Sequence, residues 1–162
     1  MPTPKGYSRV QIGLHWIMAV LILLQLIFGE GIGTAWRALQ QTGVASYDAQ
    51  ALAHIGFGAA ILLLALWRLW VRATRGVPAV PEVEPVALRL AANAGHWAFY
   101  VLMIGVPLTG LLAWFGGLHD LAELHELAKP AFILLIAIHV AAALWHQFWL
   151  KDGLLARMRR AG

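Results

Sequence analysis

Residues 124–150 read LHELAKPAFILLIAIHVAAALWHQFWL. A bilayer core takes about 20 apolar residues of helix, so this stretch is long enough to cross one. Yet it carries His125, His139 and His146. Polar side chains inside a membrane are expensive, and they are usually functional. His125 and His139 lie 14 residues apart. At 100° per residue that is about 40° short of four turns, so both project from one face, about 21 Å apart along the axis. His146 follows seven residues later, again near that face. One stripe thus offers an imidazole near one membrane surface, one at depth, and one near the opposite surface.

Three other segments qualify as spans: 10–28, 52–70 and 96–115. The chain of 162 residues is 60% hydrophobic and only 12% charged, against about 25% charged residues for a soluble domain. Its mean hydropathy is +0.70. Disorder, a nucleic-acid module and an ordinary soluble enzyme are excluded. What remains is a single all-α domain over 1–162, a four-helix transmembrane bundle. The first span does not read as a cleaved signal peptide: it is too long and contains His15 and Gln25. Pro107 lies mid-span and predicts a kink. Segments 29–50 and 72–90 read as connectors, the second extended by Pro78, Pro81 and Pro85. There are no cysteines, hence no disulfide, thiolate-held cluster or covalently attached haem.

Charge orients the bundle. Ten of the twelve Lys and Arg residues sit at the N-terminus, the second connector and the C-terminus: Lys5, Arg9, Arg68, Arg72, Arg75, Arg89, Lys151, Arg157, Arg159 and Arg160. Only Arg37 and Lys129 fall on the other side. The positive-inside rule therefore puts both termini and the Pro-rich connector in the cytoplasm. The outer face pairs two cations with Glu30, Asp48, Asp120, Glu123 and Glu126, a balance of −3. The inner face pairs ten with Glu82, Glu84 and Asp152, a balance of +7. The net +4 is thus a topology signal with some attraction to anionic lipid, and not a nucleic-acid footprint. Trp16, Trp67, Trp70, Trp145 and Trp149, near span ends, suit an interfacial belt.

Depth sorts the histidines. His54 and His125 lie near the outer boundary, and His15 and His139 in the inner half. His96 opens the third span on the inner side, and His119 is a solvated loop residue. Two histidines facing each other across a bundle, with room between, can supply both axial ligands of a haem. Gly13, Gly56, Gly58, Gly105 and Gly110 leave space for a flat macrocycle, although small residues also let helices pack closely. A divalent-metal site and a proton relay use histidine too. A metal site normally adds inward carboxylates, and residues 10–28, 52–70, 96–115 and 130–150 contain none. That absence favours haem or a proton relay over a metal pathway. Arg68 follows His54 by 14 residues, which places a cation on the inner end of that helix face.

The stretches YSRVQIGLHW (7–16), HIGFG (54–58), WRLWVR (67–72), GHWAFY (95–100), GVPLTG (105–110), LHE (124–126), HVAAALWH (139–146) and KDG (151–153) together resemble the prokaryotic cytochrome b561 family. These are small four-helix di-haem cytochromes b of the inner membrane. The resemblance covers almost the whole chain. It implies two non-covalent haem b groups, with His54 and His125 ligating the outer iron and His15 and His139 the inner one. It implies electron transfer between a periplasmic donor and the quinone pool, with ubiquinone as acceptor or donor. Some relatives are superoxide oxidases, which reduce quinone with superoxide. Here the acidic outer face fits a cationic or protein partner at least as well as an anion.

His96 and His146 also fall on family positions and are carried over as neighbours of cofactor or quinone. His96 shares the inner depth with His15 and His139. His146, with Lys151 beside it, is the candidate for quinone protonation, because imidazole titrates near neutral pH. Arg9, Arg68 and Arg72 are candidate partners for haem propionates. The alternatives are a membrane-anchor electron-transfer subunit for a soluble redox partner, or a haem-free His-based proton or metal carrier.

Overall fold

A computed structural model describes residues 4, 6–78 and 86–162. Helix α1 spans Arg9–Phe28. Ser8 caps it: its hydroxyl accepts from the Gln11 N–H while the Gln11 side chain returns a bond to the Ser8 N–H. A single 3₁₀ turn, Gly29–Gly31, leads into α2, Ile32–Thr42. Gly43, at φ 71°, stops α2 in the left-handed conformation. Asp48 then caps α3, Ala49–Arg75, by accepting from the Ala51 N–H at 2.8 Å. Helix α4 covers Val86–Gly116 and α5 covers Leu121–Trp145. The last turn of α5 widens into a π-helical segment, His146–Leu150, before the short α6, Leu154–Arg157.

Four helical stretches are long and apolar enough to cross a membrane: Arg9–Thr42, Ala49–Arg75, Val86–Gly116 and Leu121–Leu150. The chain is an integral membrane four-helix bundle. Two features differ from the sequence reading. Segment 29–50 is not a bare connector, because α2 occupies its centre. Ile32, Ala35, Trp36 and Leu39 recur at helical spacing, and Ala35 is buried with Ala51 and Trp114. The helix that carries the third span begins at Val86 rather than 96, since the stretch 86–95 is rich in the good helix formers Ala and Leu around Arg89 and Asn93. His96 is therefore ten residues inside α4 and does not open it. Pro107 is buried within a continuous α4. Of the second connector, Pro78 is described, whereas Pro81, Glu82, Glu84 and Pro85 lie outside the described residues, as does Lys5.

The principal packings run α1 on α3, α3 on α4, and α4 on α5. The central core is small: Met18 and Ile22 of α1, Ile61 and Ala65 of α3, Tyr100 and Met103 of α4, and Phe132 of α5. Many large apolar side chains face outward, Trp67, Trp70, Trp145 and Trp149 among them. A bundle in lipid needs no apolar contrast to hold its helices, so its outer faces are as greasy as its core. Close to the chain termini, Gln11 is buried and donates to the Gly76 carbonyl at 2.9 Å, which ties the start of α1 to the end of α3.

Candidate functional site

At the acidic end of the bundle, α3 presents His54 and α5 presents His125. Their ring centroids stand 5.7 Å apart at 66°. Helices α3 and α5 are not among the principal packings of the described residues, so the two rings face each other across a gap. That gap is a largely apolar cavity of about 500 Å³ whose walls include Gly110, Trp114, Lys129 and Glu30. Cavities of roughly 300–1,000 Å³ are the usual size of ligand sites.

His125 is oriented by its own scaffold. Its Nδ1 lies 2.8 Å from the Val106 carbonyl. A carbonyl only accepts, so Nδ1 carries the proton and Nε2 keeps its lone pair for a ligand. Gly110, one turn beyond Val106 on α4, makes the cradle: a Cβ there would stand 2.8 Å from Cε1 and 2.9 Å from Nδ1 of the ring. Gln25 of α1 donates to the His54 backbone carbonyl at 2.9 Å and steadies the facing helix. His54 Nδ1 is buried without a hydrogen-bond partner among the described residues.

At the basic end, His139 of α5 meets His15 of α1 at 6.1 Å and His96 of α4 at 6.2 Å between ring centroids. Phe99 packs edge-on against His139 at 5.3 Å. The Arg68 guanidinium is within electrostatic reach of all three imidazoles. It donates to the Gln11 carbonyl at 3.2 Å. Arg72 lies 5.7 Å over the Trp97 ring, a cation–π contact. Arg9 is exposed at the start of α1.

Two imidazoles on opposite sides of one metal, each with a metal–nitrogen bond of about 2 Å, hold their ring centroids roughly 6 Å apart. Both cross-bundle pairs meet that separation. The acidic-end pair adds a cavity, an oriented Nε2 and a glycine that a methyl group would fill. These residues fit a bis-histidine haem. The basic-end cluster meets the distance criterion twice over, since His15 and His96 stand equally far from His139.

The family described as prokaryotic cytochrome b561 matches the chain over residues 6–161. This chain belongs to that family. It is similar to a protein named cytochrome b562 from Cereibacter sphaeroides, 39% identical over 99% of this chain and 99% of that one. It is 31% identical to a protein named probable superoxide oxidase from Yersinia pestis, covering 95% of this chain and 96% of the other. A protein named cytochrome b561 homolog 2 from Escherichia coli is 25% identical, covering 96% and 92%. As a member of the cytochrome b561 family the chain is a membrane electron-transfer protein, and haem b is the cofactor that such a cytochrome b implies.

Two further sequence candidates lie at the basic end, beyond the histidine cluster. His146 sits at the first residue of the π turn and Lys151 just past its end. The structure joins His146 to Asp152, with Nδ1 2.5 Å from Oδ2. Asp152 was absent from the candidates. Burial would raise its carboxyl pKa, but the His146 and Leu154 hydrogen bonds outweigh that and hold it below the usual value. The Asp-Gly pair at 152–153 was the one available signal, being a turn marker. His119 is exposed as expected, with its ring set edge-on against Trp36 at 5.6 Å.

Proposed function

We propose that the chain, acting as one domain over 1–162, is a di-haem b cytochrome of the bacterial inner membrane. It passes electrons between a periplasmic donor and the quinone pool. His54 and His125 hold the outer haem, and His15 and His139 the inner one. His96 adjoins the inner haem, and Arg68 offers a cation to its propionates. The observation that carries this reading is the pair of cross-bundle histidine couples, 5.7 and 6.1 Å apart, that α5 presents from one face.

Bound haem supplies a reversible one-electron couple. The imidazoles of His54, His125, His15 and His139 would hold the haem irons, and histidine-only ligation would suit electron transfer rather than binding of oxygen or substrate. Positive charge at the termini supports a cytoplasmic position for both. His146 and Lys151 then stand at the inner rim, where quinone takes up protons. The acidic outer face supports a cationic redox protein as donor. Superoxide is the second reading, and the similarity to a probable superoxide oxidase favours it.

Haem quantitation with a reduced-minus-oxidised spectrum tests the reading. Two b haems per chain are expected, with His125→Ala losing the outer one and His15→Ala disturbing the inner. Equal retention of both haems in both variants refutes the pairing. Superoxide-driven quinone reduction, followed by stopped flow, separates the two donors.

A further inference from the structure

The chain reverses sharply where α5 ends. Lys151 is the one described non-glycine residue with positive φ, at 52°, and Gly153 follows at 75°. A left-handed lysine costs backbone energy and persists only where its surroundings demand it. What the reversal achieves is visible in Asp152. Its Oδ1 accepts from the Leu154 N–H at 3.0 Å and its Oδ2 receives His146 Nδ1. Both carboxylate oxygens are engaged, so the group is fixed in direction. The His146 side chain is only 15% exposed.

We propose that Asp152 is a positioning residue that fixes His146 to exchange a proton with quinone through Nε2. This rests on the reading of His146 given above. An ionised carboxylate only accepts, so His146 Nδ1 carries its proton toward Asp152 and the exchangeable position is Nε2, on the other edge of the ring. The negative charge also balances the imidazolium that forms when Nε2 is protonated. Arg157 of α6 is the cation within electrostatic reach of Asp152. Trp145 and Trp149, which flank His146 in sequence, stack at 4.9 Å and 14°, and both are exposed.

The stoichiometry closes. Quinone takes two electrons from the reduced cytochrome and two protons. For each proton the Nε2–H bond breaks and an O–H bond forms on a quinone oxygen. The neutral imidazole keeps Nδ1–H on Asp152 and regains its Nε2 proton from water on the basic side. Quinol oxidation runs the same steps backward.

The test uses that reverse direction. Oxidised holoprotein is mixed with a short-chain ubiquinol, and haem reduction is followed by stopped flow. A positioned acid–base group is worth about 10²–10⁴ in rate, so His146→Gln is slow. Asp152→Asn is expected to lower the saturating rate about tenfold, with the half-saturating quinol concentration within twofold and both haems retained. Asp152→Ser keeps an acceptor for Leu154 but no carboxylate, and should be equally slow. In a His146→Gln background neither change should slow the reaction further, because the two residues act as a unit. Wild-type rates in Asp152→Asn and Asp152→Ser, or losses that multiply in the double variants, overturn the role of Asp152. A wild-type rate in His146→Gln instead overturns the reading of His146 itself.

Discussion

Gly110→Ala isolates the cradle behind His125. The added methyl group would stand 2.8 and 2.9 Å from two atoms of the imidazole, whereas carbon contacts are comfortable at about 3.5–4.0 Å. The ring must retreat by roughly 0.6–0.7 Å, on the lower bound of that contact range. It cannot do so without straining the Nδ1–H bond to Val106, which is 2.8 Å long. Overpacking of this kind costs about 1–3 kcal/mol, equivalent to about 5–150-fold in an equilibrium. On the proposed pairing, that penalty falls on the geometry His125 needs to ligate iron, so the outer haem should be weakened and the inner one spared. The assay is haem per chain in purified protein, with the inner haem as internal reference. Gly105→Ala is the control: it lies on the same helix, a Cβ there meets nothing within 4 Å, and the residue does not line the cavity. Full retention of both haems in Gly110→Ala, or equal loss in Gly105→Ala, refutes the reasoning.

Two further outcomes concern stability. Asp48→Ala removes the cap of α3 and should cost about 1 kcal/mol, read as a lowered thermal midpoint, with Asp48→Ser retaining most of it. Asp152 has a carboxyl pKa held below the ordinary 3.8. Its contribution is therefore complete above that value and is lost as pH falls through the depressed folded value. Asp152→Asn should lose stability at neutral pH and show less further loss on acidification below pH 4 than wild type, measured as thermal midpoint against pH.

The spans were legible because length and apolarity alone define them. The cross-bundle couples were legible in outline, since a 14-residue repeat on one helix and matched depth on two others leave few partners. Helix α2 was not, because eleven residues of mixed polarity carry only a short amphipathic stripe, and that stripe matters only once Trp114 is in place to meet it. The start of α4 was missed because Arg89 and Asn93 interrupt an otherwise apolar stretch, 86–95, that is helical all the same. Asp152 escaped because its role depends on Lys151 adopting a conformation that its side chain disfavours. His96 could not be sorted from His15 by depth, and their near-equal distances from His139 explain why.

The helices that share the histidine couples are not the ones that pack most closely. Helix α5 packs mainly on α4, while His139 and His125 also reach His15 of α1 and His54 of α3. On the proposed pairing, a haem between them would serve as mortar as well as wire. Loading and assembly would then be coupled: without haem, the fourth span is held mainly by its packing on α4, with Phe132 in the central core and the Lys129–Glu30 ion pair as its other recorded ties. Cells short of haem should accumulate a chain that proteases see as unfinished.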